Sequence, residues 1–234
     1  MESLRLTPVE FEALRLSLWI SGWAVLASLG PGVLIAWILA RKQFPGKALL
    51  DGLVHLPLVL PPVVTGYVLL LLMGRRGIVG SWLYETTGLA FAFNWKGAAM
   101  ASGIMAFPLL VRAVRLSIES VDQGLEQAAR TLGAGPIDLF FTVTLPLIFP
   151  GILTGVILAF ARSLSEFGAT ITFVSNIPGE TQTLPLALYT LTQVPDGEVG
   201  AMRLCIISVV VALIALITSE LLARRMDRRI KGET

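Results

Sequence analysis

Three long stretches without Asp, Glu, Lys or Arg constrain this chain more than any other feature of its sequence. They cover residues 16–40, 53–73 and 139–161. A helix needs about 20 consecutive apolar residues to cross the hydrocarbon core of a bilayer. Because backbone N–H and C=O groups in lipid must be paired within the chain, these stretches are predicted to be transmembrane helices.

Two shorter uncharged stretches, residues 97–111 and 204–219, extend the pattern to five spans. The first can be completed by Asn94 and Trp95 at one interface and by basic side chains that snorkel to the other. The sequence therefore predicts an all-α integral membrane protein, a single transmembrane domain over residues 1–234. The five predicted spans cover about 12–40, 50–73, 95–116, 143–165 and 203–223.

The basic residues are divided unevenly between the two faces that five spans define. One face receives 11 of the 18 basic residues, namely Arg41, Lys42, Lys47, Arg112, Arg115, Arg130, Arg224, Arg225, Arg228, Arg229 and Lys231. The other receives Arg5, Arg15, Arg75, Arg76, Lys96 and Arg203. Because loops rich in Lys and Arg stay in the cytoplasm, we expect the C-terminus inside and the N-terminus outside. No cleavable signal is expected, because the first apolar run is too long for one.

A polar segment, about 119–142, separates the third and fourth predicted spans and must lie in water. Residues 126–133 read Glu-Gln-Ala-Ala-Arg-Thr-Leu-Gly, which predicts a short helix with a small-residue face. Asp122 or Ser120 can cap its start, and Gly133 can end it in the left-handed conformation. Such a helix is suited to docking another protein; from spacing alone, an ordinary amphipathic loop helix is an equal alternative.

Two charged residues of this segment are placed to interact. Glu126 and Arg130 are four residues apart, so on a helix they lie on one side and can pair with each other or with a partner protein.

The frame of this segment resembles the signature of ABC importer permeases, which reads Glu-Ala-Ala, three residues, Gly, nine residues, Ile-x-Leu-Pro. The residues that match are Ala128, Ala129, Gly133, Leu145 and Pro146. Two positions depart from it. Gln127 stands where the glutamate is usual, with Glu126 one place earlier, and Val143 replaces the isoleucine.

Other stretches resemble the molybdate permeases within this family. They are residues 44–51, 55–62, 165–170 and 175–181. The Glu-Phe-Gly element in the third stretch also occurs in sulfate permeases. The resemblance therefore implies an importer of molybdate, with sulfate or thiosulfate and tungstate as the alternative substrates.

The resemblance implies a type I ABC importer permease fold in which the polar segment carries a cytoplasmic coupling helix. The residues it assigns to the ATPase-coupling loop are Glu126, Gln127, Ala128, Ala129, Arg130, Gly133, Leu145 and Pro146. It also implies the partners: a second copy of this chain, two cytoplasmic ABC ATPase subunits and an external molybdate-binding protein. The implied location is the lipid bilayer of the bacterial inner membrane, and no nucleic-acid partner is expected.

The motor is expected on a separate polypeptide, so the chain is predicted to be a transport subunit and not an enzyme. Its one Gly-Lys pair, Gly46-Lys47, is followed by alanine and lacks the upstream glycine that cradles phosphates. We expect ATP and Mg to be used by the partner ATPase and no cofactor to be bound by this chain. The lone His55 has no metal-ligand spacing, so no metal site is predicted.

Candidate residues of the translocation path come from the second and fourth predicted spans. They are Arg162, Ser165, Glu166, Thr170, Pro61, Pro62 and Thr65. Ionisable residues inside a membrane are costly, which raises the hypothesis of a functional role for the Arg162 and Glu166 pair; a structural ion pair that locks helices together is the favoured alternative. Because the deep arginine has a carboxylate neighbour, the pore is not strongly positive, so selectivity is expected to rest mainly with the external receptor.

Two other classes of function fit less well. An intramembrane hydrolase needs a catalytic set within the spans, such as Ser with His or paired carboxylates, and one histidine with an isolated Glu166 does not supply it. A passive channel has no reason to carry a protein-docking helix.

Overall fold

The computed structural model describes residues 7–231, which are largely helical and contain no β-strand. The helices are α1 (Pro8–Arg41), α2 (Lys47–Val59), α3 (Pro62–Met73), α4 (Ile78–Thr87), α5 (Trp95–Ser120), α6 (Gln123–Thr131), α7 (Pro136–Leu139), a π-helical segment (Phe140–Thr144), α8 (Leu145–Leu164), α9 (Gly168–Val174), α10 (Leu184–Thr192) and α11 (Glu198–Lys231).

By length and composition, four helical stretches of the described chain can each cross a membrane alone. They are Pro8–Arg41, Trp95–Ser120, Pro136–Leu164 and Glu198–Thr218. A fifth span is available if α2 and α3 count as one. The predicted all-α membrane fold is confirmed.

The helix α5 forms the centre of the packed body. It packs against α1 and against α8, and 67% of its most apolar stretch is buried, compared with 28% for α1 and 11% for α11. Its inward positions include Ala98, Ala101 and Ala106, which are all almost completely buried. Small residues let helix backbones approach closely where lipid gives no hydrophobic drive for association.

The start of α1 is fixed by a capping box. The Thr7 side chain accepts a hydrogen bond from the Glu10 N–H, while the Thr7 N–H donates to the Glu10 carboxylate at 2.7 Å. The same Glu10 carboxylate is buried and lies 2.9 Å from the Arg203 guanidinium on α11. One side chain therefore both begins α1 and ties it to the last helix.

The second predicted span, 50–73, is not one continuous helix but two helices. α2 ends at Val59 and α3 begins at Pro62, and the two axes are bent by 115°. Proline disfavours helical backbone at the preceding residue, and Leu60 before Pro61 is extended, with φ −71° and ψ 141°. Two consecutive prolines thus end the helix here instead of bending it.

The helix of the fourth predicted span begins earlier than residue 143. Pro136 takes the first helical position, and the chain is then helical through the π segment to Leu164. Because α5 also continues to Ser120, only residues 121–135 lie between these two long helical stretches, and α6 occupies most of them.

The short apolar stretch near residues 184–191 forms α10. Leu184, Leu186 and Ala187 are buried, and α10 packs against both α1 and α11. The Leu184 N–H donates to the Ser17 hydroxyl at 2.6 Å. Because these residues are buried, α10 is part of the packed body and does not lie on its surface.

Candidate functional site

Helix α6 forms where the polar segment predicted it, although it starts and ends slightly earlier than the expected 126–132. Asp122 is its N-cap, and the Asp122 carboxylate accepts a hydrogen bond from the Gly124 N–H at 2.8 Å. Gly133 follows the helix with φ +93°, the left-handed conformation expected for a glycine at a helix end. The helix bounds are thus set by local residues.

The inner side of α6 is held by its glutamate. Glu126 Oε1 lies 2.9 Å from Arg41 Nη2 at the end of α1, and both side chains are only 13–14% exposed. The Thr144 hydroxyl, at the end of the π segment, donates to the same oxygen at 3.1 Å. One carboxylate therefore joins α6 to α1 and to the segment that leads into α8.

This arrangement differs from the pairing that the sequence suggested. Glu126 was expected to pair with Arg130 or with another protein, whereas in the described chain it pairs with Arg41. Arg130 is exposed and forms no ion pair among the described residues. Two residues of this contact, Arg41 and Thr144, were not predicted, since nothing in the spacing relates position 41 to position 126.

The outer side of α6 is apolar and exposed. Leu125 is 50% exposed and Leu132, just after the helix, is 89% exposed. Positions 125, 128 and 132 repeat with the helical period, so Ala128 lies on the same side as the two leucines. Ala128 is also exposed. Ala129 is partly buried instead, so the two alanines of the signature face different ways.

The last two residues of the signature lie inside the helical stretch that starts at Pro136. Leu145 is the first residue of α8 and Pro146 the second, and both follow the π segment without a break. Pro146 therefore removes one backbone donor from this stretch. Leu145 packs against the apolar core that α1, α5 and α8 share. The signature thus runs from α6 through the π segment to the first turn of α8.

The charged pair of the fourth span lies where α8 gives way to α9. Arg162 Nη1 and Glu166 Oε2 are 2.7 Å apart, with the glutamate side chain 1% exposed and the arginine 25%. The other carboxylate oxygen of Glu166 accepts the Ala169 N–H at 2.8 Å. Glu166 therefore also satisfies a backbone donor in the first turn of α9, so part of its role is structural.

A close crossing of α3 and α9 brings the two groups of candidate path residues together. A Cβ added at Gly66 would lie 2.5 Å from the Ala169 carbonyl oxygen, and one added at Gly168 would lie 2.8 Å from Pro62 Cβ. The start of α3, just after the break at Pro61, thus lies against the start of α9. Pro61, Pro62 and Thr65 of one segment and Glu166 and Thr170 of the other belong to this crossing.

The hydroxyl groups near this crossing differ in what they contact. The Ser165 hydroxyl donates to the Arg162 carbonyl at 3.1 Å, and the Thr170 hydroxyl donates to the Phe167 carbonyl at 2.8 Å. The Thr65 and Ser163 hydroxyls are buried and lack a hydrogen-bond partner within the described residues. Because Thr65 and Ser163 are also buried, their hydroxyls do not reach solvent in this structure.

The sequence of this chain matches a family described as the binding-protein-dependent transport system inner membrane component, over residues 32–232. The match covers most of the chain. The chain belongs to this family of permeases. The resemblance predicted from the signature is therefore confirmed, and the permease is a transport subunit and not an enzyme.

Two relatives illustrate the range of similarity. The permease is 64% identical over 219 residues to the molybdenum transport system permease protein ModB of Escherichia coli strain K12, covering 94% of this chain and 96% of that one. It is 38% identical over 221 residues to the sulfate transport system permease protein CysW of Synechococcus elongatus, covering 93% of this chain and 76% of that one.

A solved structure supports the fold. The permease superposes on a chain of a bacterial ABC transporter involved in the import of the acidic polysaccharide alginate, with a TM-score of 0.74. The superposition covers 94% of this chain and 80% of that chain, at 18% identity. The ABC importer permease fold predicted from the sequence is confirmed.

No cluster of three or more His, Cys, Asp or Glu side chains that could hold a metal ion occurs within residues 7–231.

Replacing Glu126 with alanine tests the contact between α6 and α1. The change removes the ion pair and leaves the mostly buried Arg41 guanidinium without its partner, which costs about 1–3 kcal/mol. We expect trypsin to cut the detergent-solubilised permease after Arg130 about tenfold faster, measured as the appearance of the fragment ending there by mass spectrometry.

Glu119→Ala is the matched control, since it breaks the more exposed Arg115–Glu119 pair on α5 and should leave cleavage after Arg130 unchanged. Equal cleavage rates in the Glu126→Ala variant and the unmodified permease would show that the ion pair does not hold α6.

Proposed function

We propose that this permease carries molybdate across the inner membrane into the cytoplasm. The observation that carries the proposal is the 64% identity to a molybdenum transport permease over nearly the full length of both chains. The four stretches that resemble molybdate permeases lie at structurally distinct places: the turn into α2, the break at Pro61, the start of α9 and the loop after it.

Sulfate or thiosulfate and tungstate are the alternative substrates. The sulfate transport relative is 38% identical, well below the molybdenum relative. The chain itself offers little to separate these anions, since Arg162 is neutralised by Glu166 at 2.7 Å. Discrimination between oxyanions therefore belongs to the external binding protein rather than to the permease.

Uptake of radiolabelled molybdate tests the substrate. The permease is expressed with its ATPase and binding protein in a bacterium that lacks its own molybdate permease. We expect uptake that requires this chain, competition by excess tungstate because the two dianions are alike in shape, and none by a hundredfold excess of sulfate. Uptake of labelled sulfate but not molybdate would make the sulfate alternative correct.

We propose that two copies of the permease assemble with two ABC ATPase subunits and an external binding protein. The family name itself specifies dependence on a binding protein. The exposed apolar side of α6, formed by Leu125, Ala128 and Leu132, is the surface that docks the ATPase. Because its inner side is fixed through Glu126 to Arg41 and Thr144, a displacement of α6 is transmitted to both α1 and α8. ATP and Mg are used by the ATPase, and this chain binds no cofactor.

Introducing a bulky side chain at Ala128 tests this docking surface. Ala128→Trp keeps α6 helical but prevents close approach, so we expect the ATPase to be lost on copurification, with binding weakened at least about tenfold. Ala48→Trp, at an exposed alanine in the first turn of α2, is the matched control and should retain the ATPase. The mass of the intact complex gives the copy number. If Ala128→Trp retained the ATPase fully, α6 would not be its docking site.

We propose that the crossing of α3 and α9 lines the translocation path, with the N-terminus outside and the C-terminus in the cytoplasm. The break between α2 and α3 supports the proposed path, because broken membrane helices expose backbone groups and tend to line solute sites. The unpartnered hydroxyl of Thr65 lies on α3, and that of Ser163 lies in the last turn of α8, shortly before α9 begins; both are buried here and would have to be exposed for a solute to reach them. Neutral donors suit brief contacts with an oxyanion.

Cysteine accessibility tests both the orientation and the path. In a Cys205→Ser background, which removes the chain's one cysteine, a membrane-impermeant maleimide should label Glu85→Cys in intact cells. It should label Gln43→Cys only after permeabilisation. Labelling of Ser165→Cys should block molybdate uptake, whereas labelling of Glu85→Cys should not. Labelling of Gln43→Cys in intact cells would reverse the orientation, and full uptake after labelling of Ser165→Cys would remove that residue from the path.

A further inference from the structure

A cavity of about 1070 Å³ lies between α1 and the stretch from α6 to α8, and no side chain of the described residues fills it. One wall is a single face of α1 that includes Leu26, Gly30 and Trp37. The opposite wall includes Phe141 and Phe149. We call this cavity the α1–α8 groove.

The length of the α1–α8 groove matches one leaflet of a bilayer. From Leu26 to Arg41, its α1 wall covers fifteen residue steps, which is about 22 Å at 1.5 Å per residue. Half of a bilayer, with its headgroup layer, is about 20–22 Å thick. The groove therefore runs from the middle of the membrane to one surface.

The two ends of the groove differ in chemistry. Toward the middle of the membrane its walls carry exposed apolar side chains, with Leu26 61%, Leu34 58% and Phe149 48% exposed. The surface end is lined by three cations and one anion, namely Arg41, Lys42, Arg130 and Glu126. An apolar channel with a cationic mouth is complementary to a molecule that has hydrocarbon chains and an anionic head.

The cations at the mouth do not have a full set of ion-pair and hydrogen-bond partners within the described chain. Glu126 neutralises Arg41, but Arg41 Nε is buried without a hydrogen-bond partner. Arg130 has no ion pair there, and the Lys42 ammonium lies 5.2 Å from the centre of the Trp37 ring. Trp37 is thus placed as an interfacial tryptophan beside a basic residue, an arrangement common at the headgroup level.

We propose that the α1–α8 groove binds one anionic phospholipid, with its acyl chains against Leu26, Leu34 and Phe149 and its phosphate between Lys42 and Arg130. A helix of a second copy of the chain would fill the apolar part but would leave the cations at the mouth unpaired. Because Arg130 belongs to α6, the bound lipid connects the charge of the membrane surface to the ATPase-docking helix. Placement in the cytoplasmic leaflet rests on the proposed orientation, whereas lipid binding does not.

Two glycines of α1 give a steric test with a matched control. A Cβ added at Gly30 or at Gly22 meets no atom within 4 Å, so each position accepts a larger side chain. Gly30 lines the groove, and Gly22 does not. Gly30→Phe should therefore fill the groove, while Gly22→Phe makes the same change on the same helix outside it.

A second pair of variants tests the charges. Lys42→Gln with Arg130→Gln removes two cations of the mouth. Lys47→Gln with Arg112→Gln removes two cations that do not line the groove. A basic residue near an anionic membrane surface contributes about 1 kcal/mol, or about fivefold in affinity, so we expect the first pair to weaken binding by about 25-fold and the second to leave it unchanged.

The measurement is native mass spectrometry of the full-length permease titrated with dioleoyl-phosphatidylglycerol or dioleoyl-phosphatidylcholine. We expect retention of one phosphatidylglycerol in preference to phosphatidylcholine, its loss in Gly30→Phe, and no loss in Gly22→Phe. A photoreactive phosphatidylglycerol should attach to peptides from residues 26–42 and 137–152. Equal retention of both lipids, or unchanged retention in Gly30→Phe, would overturn the proposal. Crosslinking of Gly30→Cys between two copies would instead assign the groove to a dimer contact.

Discussion

The absence of water in the hydrocarbon core of a membrane is the constraint on which the rest of this structure depends. Every backbone N–H and C=O group there must be paired within the protein, which explains why the described chain is helical and why its breaks are few. Where a span does break, at Pro61 and Pro62, the next residues start a new helix at once. Where α8 gives way to α9, the Glu166 carboxylate accepts a backbone N–H of α9. The starts of α3 and α9 then pack against each other at Gly66 and Gly168.

At the water-exposed end of the permease, too, a single polar group makes several contacts. A single carboxylate, Glu126, holds α6 against α1 and against the π segment. In the family signature the glutamate stands one position later, where this chain has Gln127. On a helix, one position is a rotation of about 100°, so the acidic group here points inward and serves the permease itself. The exposed surface of α6 carries the apolar Leu125, Ala128 and Leu132 beside the polar Gln127 and Arg130.

This arrangement gives α6 two distinct sides with separate tasks. Its inner side forms an ion pair and a hydrogen bond, and the strength of both interactions depends on geometry. Its outer side can bind a partner only if the partner approaches closely. The open groove beside Arg130 adds a third neighbour, since it connects the same helix to the membrane surface. If both proposals hold, a helix of only nine residues is the place where the ATPase, the permease body and a lipid meet.

The sequence by itself determined the class of the protein, because long uncharged stretches have one stable solution in lipid. It also determined the local features that a few neighbouring residues decide: the capping box at Thr7 and Glu10, the Asp122 cap, the left-handed Gly133 and the helix start at Pro136. Only the tertiary structure decided that Pro61 and Pro62 break their span by 115° and that Glu126 pairs with Arg41 instead of Arg130. It also decided that α3 and α9 cross closely. These three features depend on residues that are far apart in the chain. Local propensity does not indicate which distant side chain will form an ion pair with a given charge or pack against a given helix.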